Sequence, residues 1–250
     1  MIFYMKRSLE IASLVFTLCL TIFVNDGWTE NSVLEKALNY RASIVNVKAI
    51  MTGPVSSTPA AAYDPQTGKL LIGKNNSMDY LERNGAGVII TASGYIVTNL
   101  HTIRNGERIG VTLPNGELVG AQIVHLMPEH DLALLKVDLP YPLTPIEFAD
   151  SDTIKLGDEI VNIGHSELLH ETISGGVVIG LAKSPPDDNN KEEIEFIKTN
   201  IDLYHGDSGG PLFNKEGRLI GMMMARSTGG GASIAIPSNK IKILYPDFVK

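Results

Sequence analysis

One stretch constrains this chain more than any other: Gly206-Asp207-Ser208-Gly209-Gly210-Pro211-Leu212. A serine between glycines leaves its hydroxyl and the neighbouring backbone N–H groups uncovered, which is the arrangement that an activated nucleophile needs. A serine hydroxyl is a weak nucleophile on its own, so a base and an acid to support Ser208 must come from elsewhere in the chain.

The chain order of those partners excludes one fold. The stretch fits the Gly-x-Ser-x-Gly elbow of α/β-hydrolases, but that fold places its acid and then its histidine after the serine. All six histidines of this chain precede Ser208. The order His, Asp, Ser remains, and it is the order of the chymotrypsin-type double barrel. A glycine-rich turn with an incidental serine is the alternative interpretation.

His101 and Asp131 have the settings that such an order requires. His101 directly follows an apolar, strand-like run, and Asp131 directly precedes another. We predict His101 as the general base toward Ser208 and Asp131 as the acid that orients the imidazole. The backbone N–H groups of Gly206 and Ser208 are the predicted oxyanion hole. A surface histidine and a strand-capping aspartate are the alternatives for either residue taken alone.

Apolar runs bounded by turn residues predict two sets of short strands and an all-β fold. We expect two six-stranded antiparallel β-barrels of the chymotrypsin/trypsin type with the active site in the cleft between them. The first barrel is expected over about 43–138, a proline-rich linker over 138–146 and the second barrel over about 147–237. A short helix is expected within 30–40 and a long surface loop over 51–83, with a solvated hairpin tip over 187–193.

The N-terminal segment predicts export. Met5-Lys6-Arg7 precedes an apolar run over 11–24, shorter than the ~20 residues of a membrane-spanning helix. Residues 1–26 are therefore expected to be a signal peptide or an N-terminal membrane anchor, with 30–250 as the folded domain. The single cysteine, Cys19, falls in this segment and predicts no disulfide in the folded domain.

Composition and histidine spacing exclude other kinds of ligand. Asp and Glu number 28 against 21 Lys and Arg, and no basic run with interleaved aromatic residues is present, which disfavours nucleic acid. The remaining histidines stand in no zinc-binding pattern, so we expect no metal and interpret them as solvated polar residues. The histidines interpreted as solvated are His125, His130, His165 and His170.

Several motifs in the same order resemble the HtrA/Deg-type, trypsin-like serine proteases of the bacterial envelope. They are Gly85 to Ile89, Val97 to His101, Asp131 to Lys136, Gly157 to Gly164, Ser174 to Val178, Ser208 to Leu212 and Ala235 to Pro237. The resemblance implies a Ser-His-Asp endopeptidase that needs no cofactor. It implies cleavage of unfolded or extended polypeptides in periplasmic quality control or processing, and assembly into a homotrimer. Too few residues follow Pro237 for a peptide-binding PDZ domain, so a protease domain alone is expected.

The residues directly before Ser208 differ from the pattern of this family. The usual Asn-Pro-Gly-Asn is replaced by Tyr204-His205-Gly206-Asp207, whose last residue matches digestive-type trypsins. Those enzymes pair that aspartate with a new N-terminus, and this chain has no similar activation sequence. A catalytically silent pseudo-protease that binds extended or unfolded peptides is therefore the alternative function.

Substrate selection is predicted to involve Asp202, Met224, Ala225 and Arg226. Asp202 stands six residues before Ser208, where an acid at the floor of the pocket in trypsin-like enzymes selects Lys or Arg. The edge from Met224 to Arg226 is expected to pair with the substrate backbone. Three alternatives stay open for Asp202: an acidic floor, a pair with Arg226, or a side chain turned to solvent.

Overall fold

Two closed six-stranded β-barrels dominate the computed structural model, and every neighbouring pair of barrel strands is antiparallel. The expected fold is therefore confirmed. The structure describes residues 33–52, 62–64, 69–71, 80–165, 171–184, 194–226 and 231–249. The predicted N-terminal segment, 1–26, and the hairpin tip at 187–193 lie outside the described residues. No helix within the described ranges is long and apolar enough to cross a membrane.

The first barrel and a separate hairpin use the strands β1 (Ile44–Thr52), β2 (Ala62–Asp64), β3 (Lys69–Leu71), β4 (Tyr80–Ile89), β5 (Tyr95–Asn99), β6 (Arg108–Thr112), β7 (Leu118–Met127) and β8 (Leu132–Lys136). The barrel order is β1-β4-β5-β8-β7-β6, and β2 pairs only with β3 within the described residues. Alternate side chains from these strands point inward, as a closed barrel requires, and fill its core. That core includes Val45, Val47, Ile96, Val111 and Leu135.

The second barrel uses the strands β9 (Glu159–Gly164), β10 (Thr172–Ser184), β11 (Ile194–Thr199), β12 (Pro211–Phe213), β13 (Leu219–Arg226) and β14 (Ser233–Pro237). Its order is β10-β11-β14-β13-β12-β9. Within the described residues, three α-helices accompany the barrels: α1 (Val33–Leu38), α2 (Leu100–Ile103) and α3 (Ser238–Leu244). Helix α1 lies within the predicted 30–40.

The expected loop over 51–83 is shorter than predicted at both ends. Strand β1 continues to Thr52 and β4 begins at Tyr80, because the antiparallel register runs without a break from Ile44↔Val88 to Thr52↔Tyr80. The added part of β4 carries Glu82 and Arg83, which pair with Ile50 and Ala49 of β1. These charged residues interrupt the apolar pattern that marked β4 in the sequence, whereas the backbone ladder continues through them.

The two ends of the folded unit cross between the barrels. At the N-terminal end, Tyr40 stacks on Phe213 of the second barrel, with 5.9 Å between ring centroids. At the C-terminal end, Phe248 packs on Tyr95 of the first barrel, with 4.4 Å between centroids. One continuous core cluster consequently contains residues of both barrels, including Val97 and Met222. This shared core fixes the two barrels against each other and so determines the cleft between them.

Candidate active site

The structure brings His101 and Asp131 together. His101 lies in α2, directly after β5, and its Nδ1 is 2.5 Å from Oδ2 of Asp131. The backbone N–H of His101 donates to Oδ1 of the same carboxylate at 2.8 Å. Asp131 adopts a left-handed conformation, with φ 51°, and its carbonyl accepts from the backbone N–H of Leu100 at 2.9 Å. Both carboxylate oxygens are therefore used to orient the histidine, which leaves Nε2 as the ring nitrogen free to face a substrate.

The serine segment of the second barrel is fixed to the first barrel. The carbonyl of Ser208 accepts from the backbone N–H of Ala86 at 2.8 Å, and the carbonyl of Ala86 accepts from the Thr98 hydroxyl at 2.7 Å. Gly209 has φ +84°, and a Cβ there would lie 2.1 Å from the Ala86 carbonyl oxygen. Only glycine can make this approach. The contact ties Ser208 to β4 and β5, and β5 leads directly to His101.

The hydroxyl of Ser208 donates to the backbone carbonyl of Met224 at 3.2 Å. In the described structure the Ser208 hydroxyl makes no hydrogen bond with His101. Met224 occupies a β-bulge, since the pairing of β13 with β14 shifts register between Met223 and Ala225. The bulge leaves the Met224 carbonyl outside the ladder and available to the hydroxyl. For proton transfer to occur, the hydroxyl has to turn from Met224 toward His101.

The backbone of the serine loop presents two unused donors. The N–H of Asp207 donates to the Tyr204 carbonyl at 3.1 Å, and the Gly206 carbonyl accepts from the N–H of His165 at 3.4 Å. Gly206 has φ +101°. Within the described part of the chain, the N–H groups of Gly206 and Ser208 donate to no other residue. Two N–H groups without an acceptor are available to bind an oxyanion, and the hydrogen bonds that leave them unused could not be read from the sequence.

Asp207 is fully buried, and its carboxylate has two donors. The Thr172 hydroxyl donates to Oδ1, and the backbone N–H of Tyr204 donates to Oδ2 at 2.7 Å. Burial raises the pKa of the Asp207 carboxyl, and the hydrogen bonds from Thr172 and Tyr204 oppose that rise. The sequence identified Asp207 as unusual but gave no signal for Thr172, which is brought to it only by the pairing of β9 with β10.

The predicted substrate-binding residues lie at the end of β13 and in the loop before Ser208. Met224 and Ala225 are half-buried, and Ala225 and Arg226 pair with β14 on one side, whereas no described strand pairs with them on the other. Met223 lies inside this edge, because its backbone is hydrogen-bonded to Gly209 and Gly210. An open strand edge of this kind can pair with the backbone of an extended peptide. Asp202 is exposed and stands between the buried residues Ile201 and Leu203, which favours the solvent-facing alternative. The side chain of Arg226 lies outside the described residues, so the pair of Asp202 with Arg226 stays a prediction.

No group of His, Cys, Asp and Glu suited to a metal ion occurs among the described residues. His125 is exposed, as expected for a solvated residue. His130 is 5% exposed, contrary to that expectation, because it ends the 3₁₀ turn Pro128–His130 that leads into the buried start of β8. His165 is half-buried, and His170 lies outside the described residues.

Comparison with known proteins places the chain among proteases. Residues 85–222 match the model of the Trypsin-like peptidase domain family. The periplasmic serine endoprotease DegP of Salmonella typhimurium is 40% identical over 171 residues, which are 66% of this chain and 36% of DegP. The mitochondrial serine protease HTRA2 of Bos taurus is 34% identical over 161 residues, which are 64% of this chain and 35% of HTRA2. The chain thus spans little more than a third of the length of these relatives.

A solved structure shows the same fold. The HtrA-type protease AlgW, determined with a decapeptide, superposes with a TM-score of 0.67 at 28% sequence identity, covering 87% of this chain and 67% of AlgW. The family match includes His101, Asp131 and Ser208 but ends before Met224. The chain belongs to the trypsin-like peptidase family and is of the HtrA/Deg type within it.

Proposed function

We propose that this chain is a serine endopeptidase whose catalytic residues are His101, Asp131 and Ser208. The observation that carries the proposal is the pair of contacts from Asp131 to His101, at 2.5 Å to the ring and 2.8 Å to the backbone. Together with the anchoring of Ser208 on β4, these contacts support Ser208 as the nucleophile, His101 as the base and Asp131 as the orienting acid. The family relationship supports the same activity.

The proposed mechanism begins with the serine hydroxyl. Ser208 leaves the Met224 carbonyl and gives its proton to Nε2 of His101 while its oxygen attacks the scissile carbonyl. Asp131 holds the proton on Nδ1 and stabilises the imidazolium. The N–H groups of Gly206 and Ser208 bind the oxyanion that forms. His101 then protonates the leaving amine, and water repeats the sequence to release the acyl group.

The open edge of β13 supports extended or unfolded polypeptides as substrates. A peptide laid antiparallel to Met224–Arg226 obtains backbone hydrogen bonds without regard to its sequence, and such bonds form only where the substrate is not already folded. Because Asp202 is exposed, we expect it to select no basic residue. In a peptide library, the wild type and Asp202→Ala should then show the same preference at the residue before the cut. A Lys or Arg preference that disappears in Asp202→Ala would support the acidic floor instead.

The names of the relatives bear on the location of this chain but not on its assembly. DegP of Salmonella typhimurium is named periplasmic, which supports an exported compartment for this chain. Homotrimer formation and anchoring through 11–24 stay predictions from the sequence. Light scattering on the purified folded domain tests the first, and membrane fractionation of the full chain tests the second.

Hydrolysis of unfolded casein by the purified wild type and Ser208→Ala tests the proposed activity. We expect the wild type to release peptides and Ser208→Ala to release almost none while still binding casein. One observation favours the pseudo-protease alternative: the Ser208 hydroxyl is bonded to Met224 rather than to His101. If both proteins bind casein equally and neither cuts it, the alternative replaces the proposal.

A further inference from the structure

We propose that Thr172 is a positioning residue for the oxyanion hole, acting through the buried carboxylate of Asp207. Its hydroxyl supplies the neutral hydrogen bond that holds Asp207, and Asp207 in turn fixes the loop that carries the N–H groups of Gly206 and Ser208. The inference rests on the proposed endopeptidase function and extends it to a residue that touches no substrate.

A niche for the carboxylate is formed by one cross-strand pair. Thr172, at the start of β10, lies directly opposite Gly164, at the end of β9. A Cβ on Gly164 would lie 2.0 Å from Oδ1 of Asp207 and 2.7 Å from the Thr172 hydroxyl oxygen. The carboxylate therefore occupies the space that any other residue at 164 would fill. Thr172 is itself 6% exposed, so water cannot easily replace its hydroxyl.

The carboxylate closes the loop on which the two donors stand. Oδ2 of Asp207 accepts from the N–H of Tyr204 at 2.7 Å, while the N–H of Asp207 donates to the carbonyl of Tyr204 at 3.1 Å. These reciprocal bonds span the turn that contains Gly206. Because Gly206 and Ser208 are the residues on either side of Asp207, a rotation of the Asp207 backbone would turn both N–H groups away from the substrate carbonyl.

The ion pair beside Thr172 does not take the place of the Thr172 hydroxyl. Glu171 adjoins Thr172 and is bonded to Arg41 at 2.5 Å. Within the described residues no lysine or arginine pairs with Asp207, so its contacts are the hydroxyl of Thr172 and the N–H of Tyr204. Loss of the Thr172 hydroxyl would leave Oδ1 without its donor in a buried site, where an unmade hydrogen bond is costly. The carboxylate would then move toward solvent and take the loop with it.

Steady-state kinetics on a peptide substrate test the proposal. Thr172→Val removes the hydroxyl at nearly constant volume, and Thr172→Ser restores it. We expect Thr172→Val to lower kcat by up to about a hundredfold, the cost of a ~1 Å misplacement, with KM nearly unchanged. This is less than the roughly 10²–10³-fold cost of losing an oxyanion donor outright. Thr172→Ser should recover most of the activity. Ser238→Ala is the matched control, since it removes another buried hydroxyl of this domain, bonded to the Ala149 carbonyl at 2.9 Å, away from the serine loop.

A peptide boronate, which forms a tetrahedral adduct with the serine, reports on the oxyanion hole directly. Its affinity should fall in Thr172→Val in proportion to kcat/KM, and should be unchanged in Ser238→Ala. Thr172→Val combined with Asp207→Ala should lose no more kcat than the worse single variant, because both act through one contact.

Equal kcat in the wild type and Thr172→Val, or multiplied losses in the double variant, would overturn the proposal. An inactive wild type would instead overturn the proposed function. If Thr172→Val fails to fold, Asp207→Asn and Asp207→Ala still decide: Asp207→Asn retains hydrogen bonding in the niche and should keep most of the kcat that Asp207→Ala loses, and equal kcat in these two variants would overturn the proposal.

Discussion

Gly164→Ala is the substitution for which the structure gives the clearest consequence. The added methyl group would lie 2.0 Å from Oδ1 and 2.7 Å from Cγ of Asp207. A carbon–oxygen contact is normally about 3.3 Å or longer, so the carboxylate has to move by more than ~1 Å. Overfilling a packed site of this kind costs about 1–3 kcal/mol. For a domain of this size, that corresponds to a fall in Tm of roughly 2–12 °C.

Gly175→Ala is a matched control on the adjacent strand. A Cβ on Gly175 meets no atom within 4 Å, so the same chemical change there adds a methyl group without a clash. We expect Gly175→Ala to be neutral or to stabilise by up to ~1 kcal/mol through a less flexible unfolded chain. Thermal unfolding and peptide hydrolysis measured on both variants give the comparison. Equal Tm and equal kcat for Gly164→Ala and Gly175→Ala would refute the description of the niche.

Three further outcomes are expected. Asp131→Asn should keep the fold but lower kcat by about 10⁴-fold, which is the loss that the same change causes in chymotrypsin-type enzymes. A loss of kcat below tenfold in peptide hydrolysis would exclude Asp131 as the orienting acid. Burial raises the pKa of the Asp207 carboxyl, so folding becomes less favourable as pH rises from about 4 through that raised pKa. The Tm of the wild type should therefore fall relative to the Tm of Asp207→Asn over this range, and a Tm difference independent of pH from 4 to 8 would contradict this. Tyr245→Phe should leave stability unchanged or raise it by up to ~1 kcal/mol in a denaturant titration, since the buried Tyr245 hydroxyl has no hydrogen-bond partner among the residues that the structure describes; a clear loss would contradict that geometry.

The order of His101, Asp131 and Ser208 was enough to predict the double barrel, because that order is tied to one topology. The apolar runs also located the barrel strands to within a few residues, except where β1 and β4 extend past their apolar pattern. In that extension Glu82 and Arg83 interrupt the apolar pattern of β4, although the ladder with β1 continues through them.

The surroundings of Asp207 could not be predicted from the sequence. Gly164 and Thr172 lie far from Asp207 along the chain, and their contact with it depends on the register of β9 with β10. The Met224 bulge that receives the Ser208 hydroxyl is likewise set by a register shift with β14. Local patterns therefore indicated which residues supply the chemistry, whereas cross-strand register determines how the loop around them is held.

Labelling by a fluorophosphonate probe, followed by mass spectrometry, tests the central claim most directly. Such a probe reacts with a serine only when a base activates it. We expect a single adduct on the peptide that contains Ser208, and labelling that is abolished in Ser208→Ala and strongly slowed in His101→Ala. An adduct on another residue, or a labelling rate in His101→Ala equal to that of the wild type, would contradict the assignment of Ser208 and His101 as nucleophile and base.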